Sequence, residues 1–600
     1  ILWNSSAQSV DALGPPGAPN YAITSPVPLY ESELEARTHA TLPAPEKASV
    51  DFARGLTEFR MADVVSGAPA TVAVHPVELI NGRFVRDGKV LWGPSQGEAW
   101  WRGDTSPLSA AHSTGSSVSR FMPGVTAPGE TEDLAQMAER LSGRGVVTIQ
   151  VTPGLWYEHR RDSHNVERRE DGNVWAPFYE MPWARSGQGI AWDGLSKFDV
   201  SRYNPWYFER HKEFAREAAR QGFVVVYELY NTHDVLEIQP HYIDFPWRPA
   251  NNINDTGLTE PPPFEPHNTN NIGNQFFSAE YPARRALHRA YMMHTFDELA
   301  DQPNVIFSMA YQYAGPLAFE QFFQDVAAEW SAQHGKPIRI ALITGKNTTD
   351  AILSDPVRSK QVAMVDMRYW EYRPDGSLWA PDAGQNLAFR KIIQSRFPGY
   401  SDTPPATTPE MVYRQVREYR DKYPRIALMP MEEGAGPLPM LMGGAASQSA
   451  LVGGRSPVPV PAPGQELANA RGGPQTGGAG AQTTAPLRAG DAPNSDRLVE
   501  TFVREHLANV LMKMSPRDGW TAAPDRTWVL AGGAAEPVLI YSLRGPAITL
   551  TRALPADHYQ AMWFDPRTGD LTTAVPASGT PGVDFKKPTE EPWLLLLQPR

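Results

Sequence analysis

Apolar residues fall into two alternating rhythms over the middle of the chain. Short apolar runs at 146–151, 223–229, 305–310, 338–343, 362–367 and 425–431 read as buried parallel strands, because helices cover both faces of such a sheet. Between them the period lengthens to that of a helix. Leu134, Met137, Ala138 and Leu141 share one face of a helix that Thr131 can cap and Gly143 and Gly145 stop. Asn204-Pro205 opens the next in the favoured cap-then-proline order, with Tyr207, Phe214 and Ala218 inward and Gly222 ending it. A further helix is predicted near 284–300. Phe319, Phe322, Phe323, Val326 and Trp330 form another stripe, ended by Gly335. A first strand at 97–107, ending in Asp104, and a short last strand at 439–444 bring the total to about eight. The predicted fold class is therefore α/β, a closed (β/α)8 TIM-like barrel.

Other stretches flank this core. Residues 1–75, rich in Pro, Ala and Ser, predict an extended lead-in. From Val77 the pattern suggests a hairpin with Asp87-Gly88 as its turn. The Gly, Ala, Pro, Ser and Gln of 443–495 read as an insertion within a barrel domain spanning 76–520. The amphipathic stretch 498–514 predicts a helix that closes the barrel. From Thr527 short alternating runs predict an all-β sandwich, giving a C-terminal domain at 521–600 with Trp563 and Trp593 as its anchors on the barrel.

Charge and composition narrow the partners. With 55 Lys plus Arg against 67 Asp plus Glu, the net charge is −12, and no long basic run occurs, so nucleic acid is not expected. There are no cysteines, which excludes disulfides and thiolate metal sites. His233, His241 and His267 fit no ligand spacing, so neither metal nor cofactor is expected. No run of about 18 apolar residues is present to span a membrane. The opening Ile-Leu-Trp-Asn has no signal-peptide pattern. A secreted or bacterial periplasmic chain with its signal removed is the expectation, resting on the functional reading. Oligomeric state is left open. The 17 Trp and 21 Tyr suit stacking on sugars, though they also fill cores.

The chemistry gathers at the predicted strand ends. The run 424–436 is apolar until it meets Glu432 and Glu433, and an acid there emerges where a barrel keeps its active site. One such group is ordinarily the start of a solvated loop. Here Asp104, Trp156, Glu228, Tyr230, Asn231, Gln312, Asp366, Arg368 and Trp370 end other strands, which predicts a carbohydrate cleft. Glycoside hydrolysis needs two carboxyls across the scissile bond. Trp101, Trp156, Tyr230 and Trp370 are the stacking candidates, and Asn231, Tyr311 and Arg368 the polar ones. The loop after the second strand carries His159 and Arg160 among interleaved acids. It reads first as a solvated loop and second as a clamp for an acidic glycan.

Three segments carry a resemblance. Ala-Met-Trp-Phe-Asp-Pro-Arg-Thr-Gly-Asp at 561–570 resembles the β-domain that closes the apiosidase-like glycoside hydrolases, often labelled collagen-binding. Trp-Trp-Arg-Gly-Asp-Thr-Ser-Pro at 100–107 resembles the segment opening their barrel. Residues 304–316 resemble their fourth strand. The resemblance implies a retaining-glycosidase barrel with an acid/base after strand four and a nucleophile near strand seven, on Glu432 or its neighbour Glu433. At the acid/base position the chain departs from the pattern, with Gln312 between Tyr311 and Tyr313. A neutral amide cannot move the proton. Three explanations compete: another carboxyl such as Glu228 or Asp366 serves, a Glu-to-Gln replacement was made to trap substrate, or the barrel runs a lyase reaction. A catalytically dead glycan-binding barrel is the rival outside enzymology.

Overall fold

The computed structural model describes residues 74–98, 134–151, 179–191, 196–232, 245–260, 270–311, 313–382, 407–431, 435–448, 495–573 and 575–600, with a few isolated positions and short strand pieces elsewhere. Its main sheet has seven parallel strands: β1 (Ser95–Glu98), β2 (Thr148–Val151), β3 (Val224–Asn231), β4 (Val305–Tyr311), β5 (Ile340–Leu342), β6 (Val362–Asp366) and β7 (Ala427–Met429). They pair strictly in chain order from β1 to β7. The links are α1 (Leu134–Gly143), α2 (Pro205–Gln221), α3 (Pro282–Leu299), α4 (Leu317–His334), α5 (Lys346–Ser354) and α6 (Pro409–Arg420). The local chemistry of α2 is the one its sequence dictates. Asn204 Oδ1 accepts the Tyr207 N–H, Pro205 takes the first turn, and Gly222 ends the helix at φ 78°.

The sheet is curled. Gln150 Nε2 on β2 donates to Asp366 Oδ2 on β6 at 3.1 Å, although three strands lie between them. In a flat sheet four strand spacings would hold these residues about 19 Å apart. The bond therefore crosses the concave interior, and it identifies the inward face. Thr148 and Gln150 lie on that face, and the register carries it to Val226 and Glu228, then to Ser308.

After β7 the run expected as a strand at 439–444 is a helix, α7 (Pro437–Gly443). All seven residues are buried, so the run has no polar period to reveal its type, while Pro437 at the first turn favours a helix. The next residues lie between the sheet's two edges. Ala446 N–H donates to Leu428 O on β7, and Ser447 Oγ donates to Gly93 O just before β1.

At the end where the strands begin, a meander covers the sheet: Val77–Ile80, Arg83–Arg86 and Lys89–Val90. It has two tight turns, at Asn81-Gly82 and Asp87-Gly88, all four residues at positive φ. Only the second was anticipated. Arg86 Nη1 donates to Gln221 O and Gly222 O at the C-terminus of α2, and Arg83 donates to Leu441 O and Ala445 O beyond α7. Cations are favoured at that end of a helix.

The stretch 498–514 is a helix only from Ser495 to Phe502, followed by a wider π turn over Val503–Leu507 and a 3-10 turn at Leu511–Lys513. The C-terminal domain has a six-stranded antiparallel sheet, including β8 (Thr527–Ala531), β9 (Val538–Ser542), β10 (His558–Phe564), β11 (Val575–Ser578) and β12 (Trp593–Pro599). A two-stranded pair, Ala547–Thr549 with Asp584–Lys586, covers one face, and Val529, Ile540, Ile548, Leu595 and Phe585 fill the space between. The other face joins the main core. Trp528 stacks on Tyr413 of α6 at 4.3 Å and 6°, and Phe564 stacks on Phe502 at 4.3 Å. Trp563 and Trp593 are not the anchors expected. They meet each other edge to face at 6.3 Å, and alternation turns Trp563 away from the main core once Phe564 turns toward it.

Truncation of a docking aromatic therefore costs more than truncation of a far-face one. Trp528→Ala should destabilise the chain by about 3–5 kcal/mol, and half-buried Trp563→Ala by clearly less. Denaturant titration of both variants checks the order. Equal losses would refute this docking arrangement.

Candidate functional site

Beside Ser308 of β4, three further strands bring polar side chains to the concave interior. β2 supplies Gln150, β3 supplies Glu228, and β6 supplies Asp366, with Arg368 just beyond it. All four are buried. Asp366 is fully engaged. Its Oδ1 accepts from Arg368 N–H at 3.1 Å and Arg368 Nε at 3.0 Å, and its Oδ2 accepts from Arg368 Nη2 and from Gln150 Nε2. This is a bidentate guanidinium–carboxylate pair with a further amide donor, the arrangement that best offsets the cost of burying two charges. Gln415 of α6 steadies the segment from outside, its Nε2 donating to Met367 O at 3.2 Å and Trp370 O at 2.6 Å.

Glu228 sits differently. Its exposure is 0%, and neither carboxyl oxygen has a hydrogen-bond partner among the described residues. Burial pushes its pKa up to about 8; Arg368 pulls it down and the Asp366 charge pushes it further up. At neutral pH the group keeps its proton, because an unpaired carboxylate in a low dielectric is far costlier than a neutral acid. A buried protonated carboxyl beside a compensated ion pair can donate a proton to a basic oxygen brought against it.

The remaining candidates separate. Tyr230 lies in a nest of Phe276, Phe277, His288, Tyr291 and Phe319, mostly helix residues, and its hydroxyl donates to His288 Nδ1 at 2.8 Å. The His288 Nε2–H is taken by Phe276 O, and burial lowers its pKa to about 3, so the imidazole stays neutral. Trp370 is also fully buried, 6.0 Å from Tyr419. Neither ring offers a face to solvent here. Asn231 ends β3, half-buried. Trp101, Asp104, His159, Arg160, Gln312, Glu432 and Glu433 lie outside the described residues, as do the side chains of Trp156 and Tyr311. Gln150 was missed, although Thr-Ile-Gln-Val showed a signal: a polar residue two positions from another polar one in an apolar strand. Among the described residues no group of three or more His, Asp or Glu is placed to hold a metal, and no helix is long and apolar enough to cross a membrane.

A family model described as "Domain of unknown function (DUF6298)" matches residues 43–452. The chain belongs to that family. Residues 521–598 of this DUF6298 chain match a second model, described as "Putative collagen-binding domain of a collagenase". Comparison with curated proteins finds no match. Among solved structures it is similar to a glycoside hydrolase at 12% identity and TM-score 0.44, covering 88% of this chain and 97% of the other. A glycoside hydrolase family 5 structure from Bacteroides vulgatus ATCC 8482 aligns at 11% identity and TM-score 0.42, over 78% and 86% of the two chains. Cel44A, a family 44 endoglucanase from Clostridium thermocellum, aligns at 11% and TM-score 0.35, over 88% and 98%. These likenesses concern the course of the chain and carry nothing about its chemistry.

The Glu228 carboxyl sets a pH dependence. Its pKa rises from 4.5 to about 8 on folding, so between those values the native state holds a proton that the unfolded chain releases. Stability contributed by this group is full below about 4.5 and declines as pH rises toward 8. Glu228→Gln, neutral at every pH, should flatten that decline. Melting temperatures of both proteins from pH 5 to 8.5 check it (about the window of the shift), and parallel curves would mean Glu228 is ionised in the native state.

Proposed function

We propose that this chain is a glycoside hydrolase acting on a poly- or oligosaccharide through two carboxyl groups. The observation that carries the reading is Glu228, a carboxyl whose burial favours the protonated form inside the curled parallel sheet, with no hydrogen-bond partner among the described residues. In this proposal the sheet closes as a (β/α)8 barrel, with residues 445–447 in the eighth position between β7 and β1. Glu228 is the acid that protonates the leaving oxygen. Glu432, three residues beyond the end of β7, is the nucleophile, with Glu433 beside it in sequence. Gln312 stands where the resemblance to apiosidase-like glycoside hydrolases puts an acid/base. Asp366 holds Arg368 and, with both oxygens occupied, transfers no proton. Arg368 is already neutralised, so it adds no unbalanced charge for an acidic glycan. A polymeric substrate would place the enzyme outside the cytoplasm.

One observation favours a second reading. Complete burial of Glu228, together with the neutral amide at 312, suits a barrel that binds a glycan without cleaving it. A screen on plant and algal polysaccharides separates the outcomes. Hydrolysis yields saturated reducing ends, elimination yields ends that absorb in the ultraviolet, and a binder yields neither.

Given a cleaved substrate, Glu432→Ala should abolish turnover while binding persists. Glu228→Gln should lower kcat and kcat/KM together by about 10²–10⁴-fold. Full activity in Glu228→Gln, read by reducing-end release, would remove Glu228 from the mechanism. Gln312→Glu raises activity by a similar factor only if the amide replaced a native acid.

A further inference from the structure

At the base of the sheet, opposite the ends that carry the candidate carboxyls, two arginines lie close together. Arg83 of the meander spends Nη1 and Nη2 on the carbonyls of Ala445 and Leu441. Arg420, the last residue of α6, gives Nη1 to Pro424 O at 3.0 Å. Its Nε and Nη2 are buried and have no acceptor among the described residues. Both residues are more than nine-tenths buried. The two charges sense each other, since Arg420, after burial, is what disfavours the charged form of Arg83.

Among the described residues neither guanidinium has a carboxylate partner. Asp421, next to Arg420 in sequence, is held by both Nη groups of Arg417 at 2.8 and 2.7 Å. Glycine backbone approaches the Arg420 side chain on two sides. A Cβ on Gly82 would collide with Arg420 Nη1, and one on Gly444 would sit 3.1 Å from Arg420 Nε. Both glycines have positive φ.

The C-termini of α6 and α7 bring partial negative charge to this corner. That eases the burial of the guanidinium groups but accepts nothing from Nε and Nη2. These two N–H groups leave one edge of a planar group in parallel, the edge with which arginine grips an anion. A water molecule could accept there, yet it would leave two like charges unbalanced in a dry site.

We propose that the Nε–Nη2 edge of Arg420, beside Arg83, holds a small halide-class anion that ties the meander to the base of the sheet. The site is independent of the glycosidase reading. Crystals of the full chain soaked in bromide, measured at the bromine absorption edge, should show a peak within hydrogen-bond distance of Arg420 Nε and Nη2. In solution, chloride should raise the melting temperature saturably, by about 2–4 °C over a hundredfold range, relative to gluconate at equal ionic strength. Arg420→Met should lose that halide-specific rise. Should Arg420→Met fail to fold, Arg420→Lys keeps the charge without the edge and should lose it too. Only water at the site, or no halide-specific rise in the wild type, overturns the proposal. So does a rise that persists in the variant. A bromide peak without any effect in solution marks an adventitious ion only, and also overturns it.

Discussion

A parallel sheet curled on itself has an interior, and every polar group turned into it must find its partner there. Water is excluded, and helices occupy the outside. The low dielectric strengthens each contact made and raises the cost of each one missed. Two inward carboxyls in this chain meet that constraint in opposite ways. Asp366 is satisfied by hydrogen bonds, because Arg368 returns from two residues along the same segment and Gln150 reaches across from β2. Glu228, with no hydrogen-bond partner among the described residues, keeps its proton. The same constraint thus leaves one inward carboxyl in a fixed charge pair and the other as a neutral acid.

The two ends of the sheet are built for different tasks. At the base, arginines are spent on helix ends: Arg86 on the carbonyls that close α2, and Arg83 on Leu441 O in the last turn of α7 and Ala445 O just beyond it. Asn304 adds a side-chain bond, its Oδ1 accepting the Val77 N–H at 2.8 Å. These contacts fasten the meander across the start of the strands and leave the opposite end for the long connections.

Much of this was legible in the sequence, and the failures have physical causes. Strands and helices from residue 134 onward could be placed because apolar period and capping residues agree, as at Asn204-Pro205 and Gly222. The helix at 437–443 could not, because a segment buried on all sides shows no period. Trp563 and Trp593 drew attention by size, whereas docking went to Trp528 and Phe564, whose positions in the pleat face α6 and the 495–502 helix. Size says that a residue needs burial; only register says against what. Of the candidate site, the gathering of Glu228, Asp366 and Arg368 followed from the rule that barrel chemistry sits at strand ends. Gln150 did not, since an amide in a strand was weighed as a strand residue and not as a partner.

The pairing of Asp366 with Arg368 has a counterpart that shows why motif and role must be argued separately. In the segment Trp-Phe-Asp-Pro-Arg-Thr-Gly-Asp, Asp565 accepts the Arg567 backbone N–H at 2.9 Å, Nε at 2.9 Å and Nη2 at 2.8 Å. Asp366 receives the same three donors from Arg368. An aspartate two residues before an arginine, at a strand end, folds into one clasp in both places. At Asp565 the clasp shapes a surface turn, completed by Gly569 at φ 81°, where a Cβ would come within 2.8 Å of Leu498. The most specific motif in the chain is thus an architectural one. At Asp366 the clasp is buried, with Gln150 of β2 as a further donor. The same two-residue spacing of aspartate and arginine thus builds one clasp at a surface turn and another in the interior.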